Sequence, residues 1–472
     1  MRCWVGDGSN AGFQIKFMQD LNSSSASSTT VAFATLGCKA NQYDSSFLEA
    51  QLLARNFRLV DFKEKADIYI INTCTVTDQA DSDSRNLIRR AARRNPEAFK
   101  IVTGCYAQTK PGEVAAVEGV DLVLGNDKKG RLWEYLEQGR PERVRIEVDN
   151  IFLQSELETF GMASYSKNTR AFVKIQDGCN QFCSFCIIPY ARGKNRSISI
   201  PRVLEELRAL SERGFREAVL TGIHLGTYGH DRQPKQSLAA LLRAIEIERP
   251  IHRVRVSSID PEEVDEEILE LFASSKVICP HLHIPLQAGD DDILRLMRRR
   301  YSSGEFAALC EKLAAKIPRV CLGTDVIVGF PYEDESRFDR SFRLLQETPL
   351  HYLHVFPFSP KRGTRAAGML GQVSASVKKA HAARLRALSE EKTREFRRRF
   401  VGLEVEVLLE RPRDSCQNED LPAAWTGFSE NYLSVEVQSD CGYSGKLVRC
   451  RLQEEKGGIL AGKDHSGRET TA

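Results

Sequence analysis

The 472-residue sequence lacks any apolar run long enough to cross a membrane, and its first residues lack the continuous apolar stretch of a secretory signal. These absences argue against a membrane-spanning or secreted protein. A strong charge of one sign is also missing, since 67 basic and 64 acidic side chains leave a net charge of +3. Net charge alone therefore does not indicate a nucleic-acid partner. We expect residues 1–30, which are polar and serine-rich, to be a disordered leader, with Met18 as an alternative start.

The chain has 13 cysteines, but no signal peptide accompanies them. In a large chain this combination indicates a reducing compartment and metal ligation rather than a disulfide framework. Two groups of three cysteines have a recognisable pattern. We expect the other cysteines, which show no ligand-like spacing, to be packing or exposed thiols. They are Cys3, Cys279, Cys310, Cys321, Cys416, Cys441 and Cys450.

The compact set consists of Cys179, Cys183 and Cys186, in the spacing C-x3-C-x2-C. Iron–sulfur clusters normally take four cysteine ligands, and a catalytic metal site keeps one position open. Three cysteines in one short loop without a fourth nearby therefore predict a four-iron cluster with one open iron. The alternatives are a zinc site that lacks a ligand and three unrelated buried thiols, and the motif disfavours both.

The dispersed set consists of Cys38, Cys74 and Cys105. Each thiol follows an apolar, strand-like run and has a small or polar neighbour, and helical patterns separate the runs. Alternating strands and helices predict a parallel sheet, whose ligand sites gather at the carboxyl edge of the strands. A single cysteine of this kind usually packs in a core. Three of them at one sheet edge, in a chain with the compact set, predict a second cluster.

The compact loop and its flanks, residues 173–178 and 187–193, resemble the radical S-adenosylmethionine (SAM) superfamily. A dispersed three-cysteine set followed by a compact one is similar to the methylthiotransferase family within it. The resemblance covers about residues 31–462 and includes later motifs at 220–229, 255–261, 283–289 and 323–331. Tyr332 departs from the pattern, because relatives commonly have glycine there.

This resemblance implies two 4Fe-4S clusters and SAM as cofactors. The compact set, Cys179, Cys183 and Cys186, is implied to be catalytic: its open iron chelates SAM, whose reductive cleavage yields a 5'-deoxyadenosyl radical. The dispersed set is implied to hold the sulfur that receives a methyl group from a first SAM. A second SAM then gives the radical that removes hydrogen from carbon 2 of an adenine.

The resemblance also implies contacts to SAM, with the Phe185 ring beside the adenine. Glycine lets a backbone approach a ligand closely, and short polar side chains can hydrogen-bond the ribose, amino or carboxylate groups. The same residue types also serve turns, so each assignment has a structural alternative. The expected SAM contacts are Phe185, Gly222, Ser257, Ser258, Gln287 and Asp325.

The predicted fold class is α/β, with a parallel-sheet N-terminal domain, a central partial (β/α) radical SAM barrel and a small C-terminal β-barrel of the TRAM type. Alternating strand and helix patterns support the first two parts, and short alternating strands support the third. The expected parts are a leader at 1–30, the methylthiotransferase N-terminal domain with the auxiliary cluster at 31–142, the radical SAM domain at 165–396, the TRAM domain at 400–463 and a polar tail at 464–472.

Basic residues concentrate in three stretches, although acidic residues interleave with the last one. Clustered arginine suits phosphate backbones, while the alternative is a solvated helix face. Together with a TRAM-like barrel, these stretches favour an RNA partner, and tRNA fits best because an anticodon loop exposes unpaired bases. The stretches contain Arg85, Arg89, Arg90, Arg93 and Arg94; Arg298, Arg299 and Arg300; and Lys378, Lys379, Arg384, Arg386, Lys392, Arg394, Arg397, Arg398 and Arg399.

Residues 35–44 and 173–193 look most like the family branch that methylthiolates N6-threonylcarbamoyladenosine at position 37 of tRNA. An electron donor such as flavodoxin or ferredoxin, a sulfur donor and a cytoplasmic location are then expected. The alternatives are a sister activity on N6-isopentenyladenosine in tRNA, methylthiolation of an aspartate on a ribosomal protein, and a noncatalytic iron–sulfur RNA-binding protein.

Overall fold

The computed structural model describes residues 29–155, 157, 169–412, 424–439, 443–454 and 460–464. Residues 1–28 of the expected leader (1–30), residues 465–472 of the expected tail (464–472), and Cys3, Cys416 and Cys441 lie outside these ranges. Thr30 and Asp464 lie in strands instead. No helix among the described residues is both long and apolar enough to cross a membrane. The chain forms two compact units. The first holds the described residues up to 157 together with Ile187–Lys194, and the second holds those of Tyr165–Cys186 and Asn195–Ala472.

The first unit contains a six-stranded parallel sheet in the order β2-β1-β3-β4-β5-β6. Its central strands are buried along their length, as expected for a parallel sheet with helices on both faces. The elements are β1 (Thr30–Thr35), α1 (Lys39–Leu53), β2 (Arg58–Val60), β3 (Ile68–Thr73), α2 (Asp78–Arg94), β4 (Phe99–Gly104), α3 (Cys105–Thr109), α4 (Pro111–Ala115), β5 (Leu122–Leu124), α5 (Leu132–Glu137) and β6 (Arg145–Glu147).

Two apolar clusters sandwich this sheet because side chains alternate between its faces. Ile68 and Ile70 of β3 pack in one cluster, while Tyr69 and Ile71 pack in the other. The strand β6 extends the sheet beyond residue 142, where the sequence pattern placed the domain limit.

The second unit contains a partial parallel barrel, as the fold class predicted. Two three-stranded sheets, β7-β10-β11 and β12-β13-β14, are joined by a bridge between Val254 and Ile278. The elements are β7 (Arg170–Lys174), β8 (Gln176–Asp177), β9 (Arg196–Ser197), α7 (Ile200–Glu212), β10 (Glu217–Thr221), α8 (Leu238–Glu248), β11 (Arg253–Val256), α9 (Glu266–Ser274), β12 (His281–His283), α10 (Asp291–Met297), α11 (Ser303–Lys316), β13 (Cys321–Val328), α12 (Glu335–Glu347), β14 (Tyr352–Pro357) and α13 (Ala375–Arg398). A short helix, α6 (Ile188–Arg192), belongs to the first unit.

A closed five-stranded barrel in the order β15-β16-β17-β19-β18 follows α13 and confirms the predicted small β-barrel. Its core is made by alternate residues such as Val407, Leu409, Val435 and Val437. The strands are β15 (Glu404–Pro412), β16 (Ala424–Ser429), β17 (Ser434–Gln438), β18 (Leu447–Glu454) and β19 (Leu460–Asp464).

The parallel barrel is closed at the amino end of its strands by a buried ionic cluster. Glu217, at the start of β10, binds Arg253 Nε at 2.7 Å and Arg255 Nε at 3.0 Å. Arg253 and Arg255 also donate to the carbonyls of Phe428 and Ser429 in the small barrel, at 3.0 and 3.2 Å. Although burial opposes ionisation, the two arginines hold the pKa of Glu217 at about 2. The small barrel is thereby attached to the parallel barrel by two buried arginines that share the carboxylate of Glu217.

Two candidate cysteine centres

The dispersed cysteines lie at the carboxyl ends of three neighbouring strands. Cys38 follows β1 and caps α1, Cys74 directly follows β3, and Cys105 opens α3 directly after β4. These strands are adjacent and parallel in the sheet, at a spacing of about 4.8 Å. The fold therefore brings the three cysteines to one edge of the sheet, as the strand pattern predicted.

Glycine provides the space around these thiols. Gly37 has φ of +96°, and a Cβ at this position would lie 2.8 Å from Cys74 Sγ. Gly104 has φ of +100°, and a Cβ there would collide with the backbone of Thr73. Because only glycine combines these dihedral angles with such close contacts, both residues are fixed by the geometry around the cysteines.

The three thiols influence one another electrostatically. Burial, together with the negative charges that Cys105 and Cys38 can carry, raises the pKa of Cys74 to about 11, although backbone N–H groups oppose the shift. Cys38 itself is exposed, so the set opens to solvent on one side. Neighbouring thiolates repel one another, and a bound cation removes this repulsion. Thiols in such a group are therefore good metal ligands. The three sulfur donors, their position at one edge of the sheet and the glycine clearance fit an iron–sulfur cluster.

A buried charge cluster, which the sequence did not reveal, supports this centre. Asp44 of α1 binds Lys129 Nζ at 2.8 Å and Arg192 Nη2 at 3.1 Å. Arg192 also donates to Asn41, whose amide group donates to the carbonyls of Leu36 at 2.8 Å and Thr73 at 3.0 Å. The loop before Cys38 and the end of β3 before Cys74 are thus tied together by α1.

The compact set lies in the loop after β8, and its three cysteines are partly exposed. The loop is held internally by a bond from Cys186 N–H to the Cys183 carbonyl at 3.0 Å, and to α10 by a bond from Ser184 N–H to the Met297 carbonyl at 3.1 Å. Gln181 N–H points at Cys179 Sγ at 3.4 Å. These bonds fix the backbone that carries the thiols.

Two cations contact the compact set. Arg299 Nη1 donates to Cys183 Sγ at 3.3 Å, and His224 Nδ1 lies 3.8 Å from Cys179 Sγ. Both cations bind Asp260, at 2.6 Å for Arg299 and 3.5 Å for His224. Donors aimed at sulfur stabilise thiolates and tune a bound cluster.

The pKa shifts agree with this arrangement. Burial raises the pKa of Cys183, although Arg299 counteracts the shift. Burial disfavours the charged form of His224, yet its contacts with Asp260, Cys179 and Glu263 raise its pKa to about 12. The centre therefore combines three sulfur donors with a permanent positive charge, which fits an anionic cluster of thiolates and sulfides.

The residues expected to contact SAM lie on or just after β10 to β13, apart from Phe185 in the cysteine loop. Gly222 follows β10, where a Cβ would lie 2.7 Å from Gln176 Oε1. Ser257 and Ser258 follow β11 and are partly or fully exposed. Gln287 has φ of +71° and pairs with β13 through its backbone. Phe185 packs edge-on against Phe330, with ring centroids 6.5 Å apart.

Asp325 differs from the other expected SAM contacts, because it lies inside β13 and its carboxylate already has two protein partners. Its Oδ1 is 2.9 Å from His283 Nε2 and 3.2 Å from His354 Nδ1. The contact of Asp325 with SAM stays a prediction.

The basic stretches do not all face solvent. In the run 298–300, Arg299 is buried against Asp260 and Cys183, so this run is not one surface patch. Lys392 of α13 donates to the carbonyls of Gln346 and Thr348, both at 2.9 Å, and is also buried. The sequence alone does not show which arginine of a contiguous run is buried. The members that remain exposed on helices are Arg89, Arg90 and Arg93 of α2 and Lys379, Arg384, Arg386, Arg394 and Arg398 of α13.

Comparisons with known proteins agree with this architecture. Residues 30–125 match the Uncharacterized protein family UPF0004, and residues 173–345 match the Radical SAM superfamily. The chain is 39% identical, over 90% of its length and 93% of the relative, to Threonylcarbamoyladenosine tRNA methylthiotransferase MtaB of Bacillus subtilis (strain 168). It is 38% identical to the protein of the same name from Aquifex aeolicus (strain VF5), over 89% of this chain and 99% of the relative.

A more distant relative has a different name. The chain is 33% identical, over 89% of its length and 92% of the relative, to tRNA-2-methylthio-N(6)-dimethylallyladenosine synthase of Syntrophobacter fumaroxidans (strain DSM 10017 / MPOB). Among solved structures, the radical S-adenosylmethionine methyltransferase TsrM from Kitasatospora setae superposes with a TM-score of 0.52 at 15% identity, over 70% of this chain and 73% of that one. That likeness concerns the fold alone.

Proposed function

Because the chain belongs to the family of radical SAM methylthiotransferases, we propose that it methylthiolates carbon 2 of N6-threonylcarbamoyladenosine at position 37 of tRNA. The observation that carries this proposal is the similarity to relatives named for threonylcarbamoyladenosine, which extends over about nine tenths of the chain. The two separate cysteine sets give the chain the donors that such a reaction requires.

The cysteines have distinct roles in this proposal. Cys38, Cys74 and Cys105 ligate the auxiliary cluster, and Cys179, Cys183 and Cys186 ligate the cluster that binds SAM. When bound, the two 4Fe-4S clusters and SAM supply the one-electron chemistry and the methylthio group. The protein's own part is to hold the thiols, exclude competing ligands and position the base.

Several other side chains complete the site. Arg299 and the Gln181 N–H group orient Cys183 and Cys179 and compensate their negative charge. Phe185 lies beside the adenine of SAM. We keep Gly222, Ser257, Ser258 and Gln287 as contacts to the polar groups of SAM. Asp325 is kept as a further contact through its second carboxylate oxygen, Oδ2, because His283 and His354 both bind Oδ1.

The remaining partners follow from the same assignment. The exposed arginines of α2 and α13 bind tRNA phosphates, and the small β-barrel assists them. A small electron carrier such as flavodoxin or ferredoxin delivers electrons, a sulfur donor replenishes the auxiliary cluster, and the reaction takes place in the cytoplasm.

Modification of the dimethylallyl nucleoside is the second candidate, because the relative named for that substrate is 33% identical over 89% of the chain. Nucleoside mass spectrometry of total tRNA from strains with and without the gene distinguishes the two. The proposal expects the 2-methylthio form of threonylcarbamoyladenosine to disappear and its precursor to accumulate. If the 2-methylthio form of dimethylallyladenosine disappears instead, dimethylallyladenosine is the substrate. If neither nucleoside changes, the proposal that this chain methylthiolates tRNA is wrong.

A further inference from the structure

Neighbouring residues of β14 differ in their exposure to solvent. Leu353 is 6% exposed and lies against α13, whose Ser389 hydroxyl accepts from Leu353 N–H at 2.9 Å. Successive side chains of a strand point to opposite faces. His354 and Phe356 are accordingly exposed, with 56% of the His354 side chain accessible. An accessible histidine beside an accessible aromatic ring is suited to binding a ligand.

Three side chains form what we call the histidine–aspartate cluster: His283 of β12, Asp325 of β13 and His354 of β14. Asp325 and His354 are direct neighbours in the pairing of the two strands. Asp325 Oδ1 is 2.9 Å from His283 Nε2 and 3.2 Å from His354 Nδ1. The two imidazole rings stack with centroids 5.0 Å apart.

Hydrogen bonds determine the orientation of this cluster. Tyr352 OH lies 3.1 Å from His283 Nδ1 and 2.9 Å from His281 Nε2. When His283 Nδ1 accepts from Tyr352, His283 Nε2 carries the proton that it donates to Asp325. Burial disfavours the carboxylate form of Asp325, yet His283 and His354 hold its pKa below the usual range. An anionic Asp325 therefore fixes the ring of His354 by accepting from its Nδ1.

With Nδ1 engaged by Asp325, the other ring nitrogen of His354, Nε2, has no polar partner among the described residues. Because the side chain is more than half exposed, a ligand can approach this nitrogen. It offers one directed hydrogen bond, supported by a half-buried tyrosine, a second histidine and a carboxylate.

We propose that His354 is the specificity-determining residue that hydrogen-bonds the polar threonylcarbamoyl substituent of the substrate adenosine, with Asp325 and His283 as positioning residues. This inference rests on the proposed function. The substituent carries a urea, a hydroxyl and a carboxylate, whereas a dimethylallyl group carries no hydrogen-bonding atom. A site built to bond a polar group discriminates against an analogue that lacks it.

The same three side chains offer two histidine nitrogens and a carboxylate oxygen within 4.8 Å of one another, which is a possible ligand set for a metal ion. However, His283 Nε2 and His354 Nδ1 already lie at hydrogen-bond distance from the same oxygen, Asp325 Oδ1. A metal ion would have to replace both protons, so we favour the hydrogen-bonded cluster. Metal analysis distinguishes the two arrangements.

The test uses the reconstituted full-length enzyme and anticodon stem-loop RNAs that carry threonylcarbamoyladenosine or dimethylallyladenosine at the target position. The variants are His354→Phe, which removes the ring nitrogens, and His354→Gln, which keeps a hydrogen-bonding side chain. His252→Gln is the matched control, because His252 is an exposed histidine that bonds a carboxylate, Glu406, at 2.7 Å in another part of the same unit. The readouts are kcat/KM for the methylthiolated product, formation of 5'-deoxyadenosine without RNA, the Kd for SAM and the metal content.

We expect His354→Phe to lower kcat/KM for the threonylcarbamoyl RNA by about 10- to 100-fold, the range for losing one hydrogen bond to a polar or charged group. RNA-independent SAM cleavage and SAM affinity should not change, and His354→Gln should recover part of the loss. His252→Gln should behave as wild type.

Three results would overturn the inference. The first is a His354→Phe variant as active as wild type on the threonylcarbamoyl RNA. The second is an equal loss of RNA-independent SAM cleavage, which would assign His354 to SAM or to folding. The third is one metal ion beyond the clusters in wild type that the variant lacks. If instead the wild-type enzyme modifies only the dimethylallyl RNA, the proposed function itself fails and the inference falls with it.

Discussion

The dispersed cysteines of the first unit depend on three separate strands, whereas the compact cysteines of the second unit lie within one loop. Cys74 is held in position by β3, by the space that Gly37 leaves and by α1 through Asn41. Cys183 is held by a short loop and by Arg299. The first centre is therefore a property of a whole sheet edge, while the second is a local motif that the barrel supports. Mutations should affect the two centres through different routes.

The largest expected difference comes from removing one ligand at each centre. Cys183→Ala and Cys74→Ala should each halve the iron content of the reconstituted enzyme. Cys183→Ala should also abolish SAM cleavage, whereas Cys74→Ala should keep SAM cleavage but make no methylthiolated product, because the SAM-binding set is intact. Iron analysis, together with assays for 5'-deoxyadenosine and for the methylthiolated product, tests the predictions for both variants.

Cys310→Ala is the control for these variants, since Cys310 is a buried thiol of α11 outside both sets. It should keep all iron and both activities. SAM cleavage that persists in Cys183→Ala would overturn the assignment of the compact set.

The next largest effect should come from the buried charge clusters that support each unit. Asp44→Asn and Glu217→Gln each leave buried cations without their counter-charge, which typically costs about 3–5 kcal/mol of stability. Peptide-resolved hydrogen exchange should show faster exchange in β1 to β4 for Asp44→Asn and in β10 to β14 for Glu217→Gln. Glu266→Gln removes two exposed ion pairs, with Lys312 and with Lys316, and it should change nothing measurable. Unchanged exchange in Glu217→Gln would contradict the role of the ionic cluster.

Acid should weaken the parallel barrel through Glu217. Its pKa of about 2 lies below the ordinary value of 4.5. Its ionised form therefore contributes stability above about pH 4.5, of roughly 3 kcal/mol, and this contribution is lost as the pH falls from 4.5 towards 2. Denaturant unfolding followed by fluorescence between pH 7 and 3 should show this loss, and Glu217→Gln should flatten the pH dependence. An equally steep dependence in the variant would exclude Glu217 as its source.

Alanine substitutions of two glycines should have a smaller effect. They distinguish the loss of space around the dispersed cysteines from the strain of a positive φ. Gly37→Ala introduces both a strained positive φ and a collision with Cys74, so we expect a loss of about 2–4 kcal/mol together with weaker iron retention. Gly139→Ala is the matched control: Gly139 also has a positive φ, of +77°, but a Cβ there would meet nothing within 4 Å. It should cost only about 1–2 kcal/mol and retain iron. Thermal unfolding and iron analysis measure the two effects, and equal iron loss in both variants would show that clearance is unimportant.

The smallest expected effect concerns RNA affinity, where each unit contributes exposed arginines. Arg89→Gln with Arg93→Gln on α2, and Arg394→Gln with Arg398→Gln on α13, should each weaken tRNA binding severalfold. They should also reduce the slope of log Kd against log salt, because fewer counterions are released. Arg208→Gln, at an exposed residue paired with Glu248, is the control. If only one helix changes the slope, that unit carries the phosphate contacts.

Much of the architecture could be predicted because the strands and helices have periodic patterns of apolar residues. Apolar runs that end in Cys38, Cys74 and Cys105, separated by amphipathic stretches, predicted a parallel sheet edge, and the adjacent parallel strands confirm it. The alternating residues beyond 404 predicted a small barrel, and five strands close it. Charge patterns were less informative, since contiguous Arg298, Arg299 and Arg300 read as one patch although Arg299 is buried.

The sequence by itself determined the compact cysteine loop, because its three donors lie within eight residues and local chain geometry brings them together. Only the tertiary structure decided the groups that surround the donors. Arg299 reaches Cys183 across 116 positions of sequence, Arg255 reaches Glu217 across 38, and His354 reaches Asp325 across 29. Parallel strands connected by helices place such residues side by side, and no sequence period marks them. A buried charge can persist only where a partner compensates its desolvation, and that partner is chosen by packing rather than by proximity in the chain.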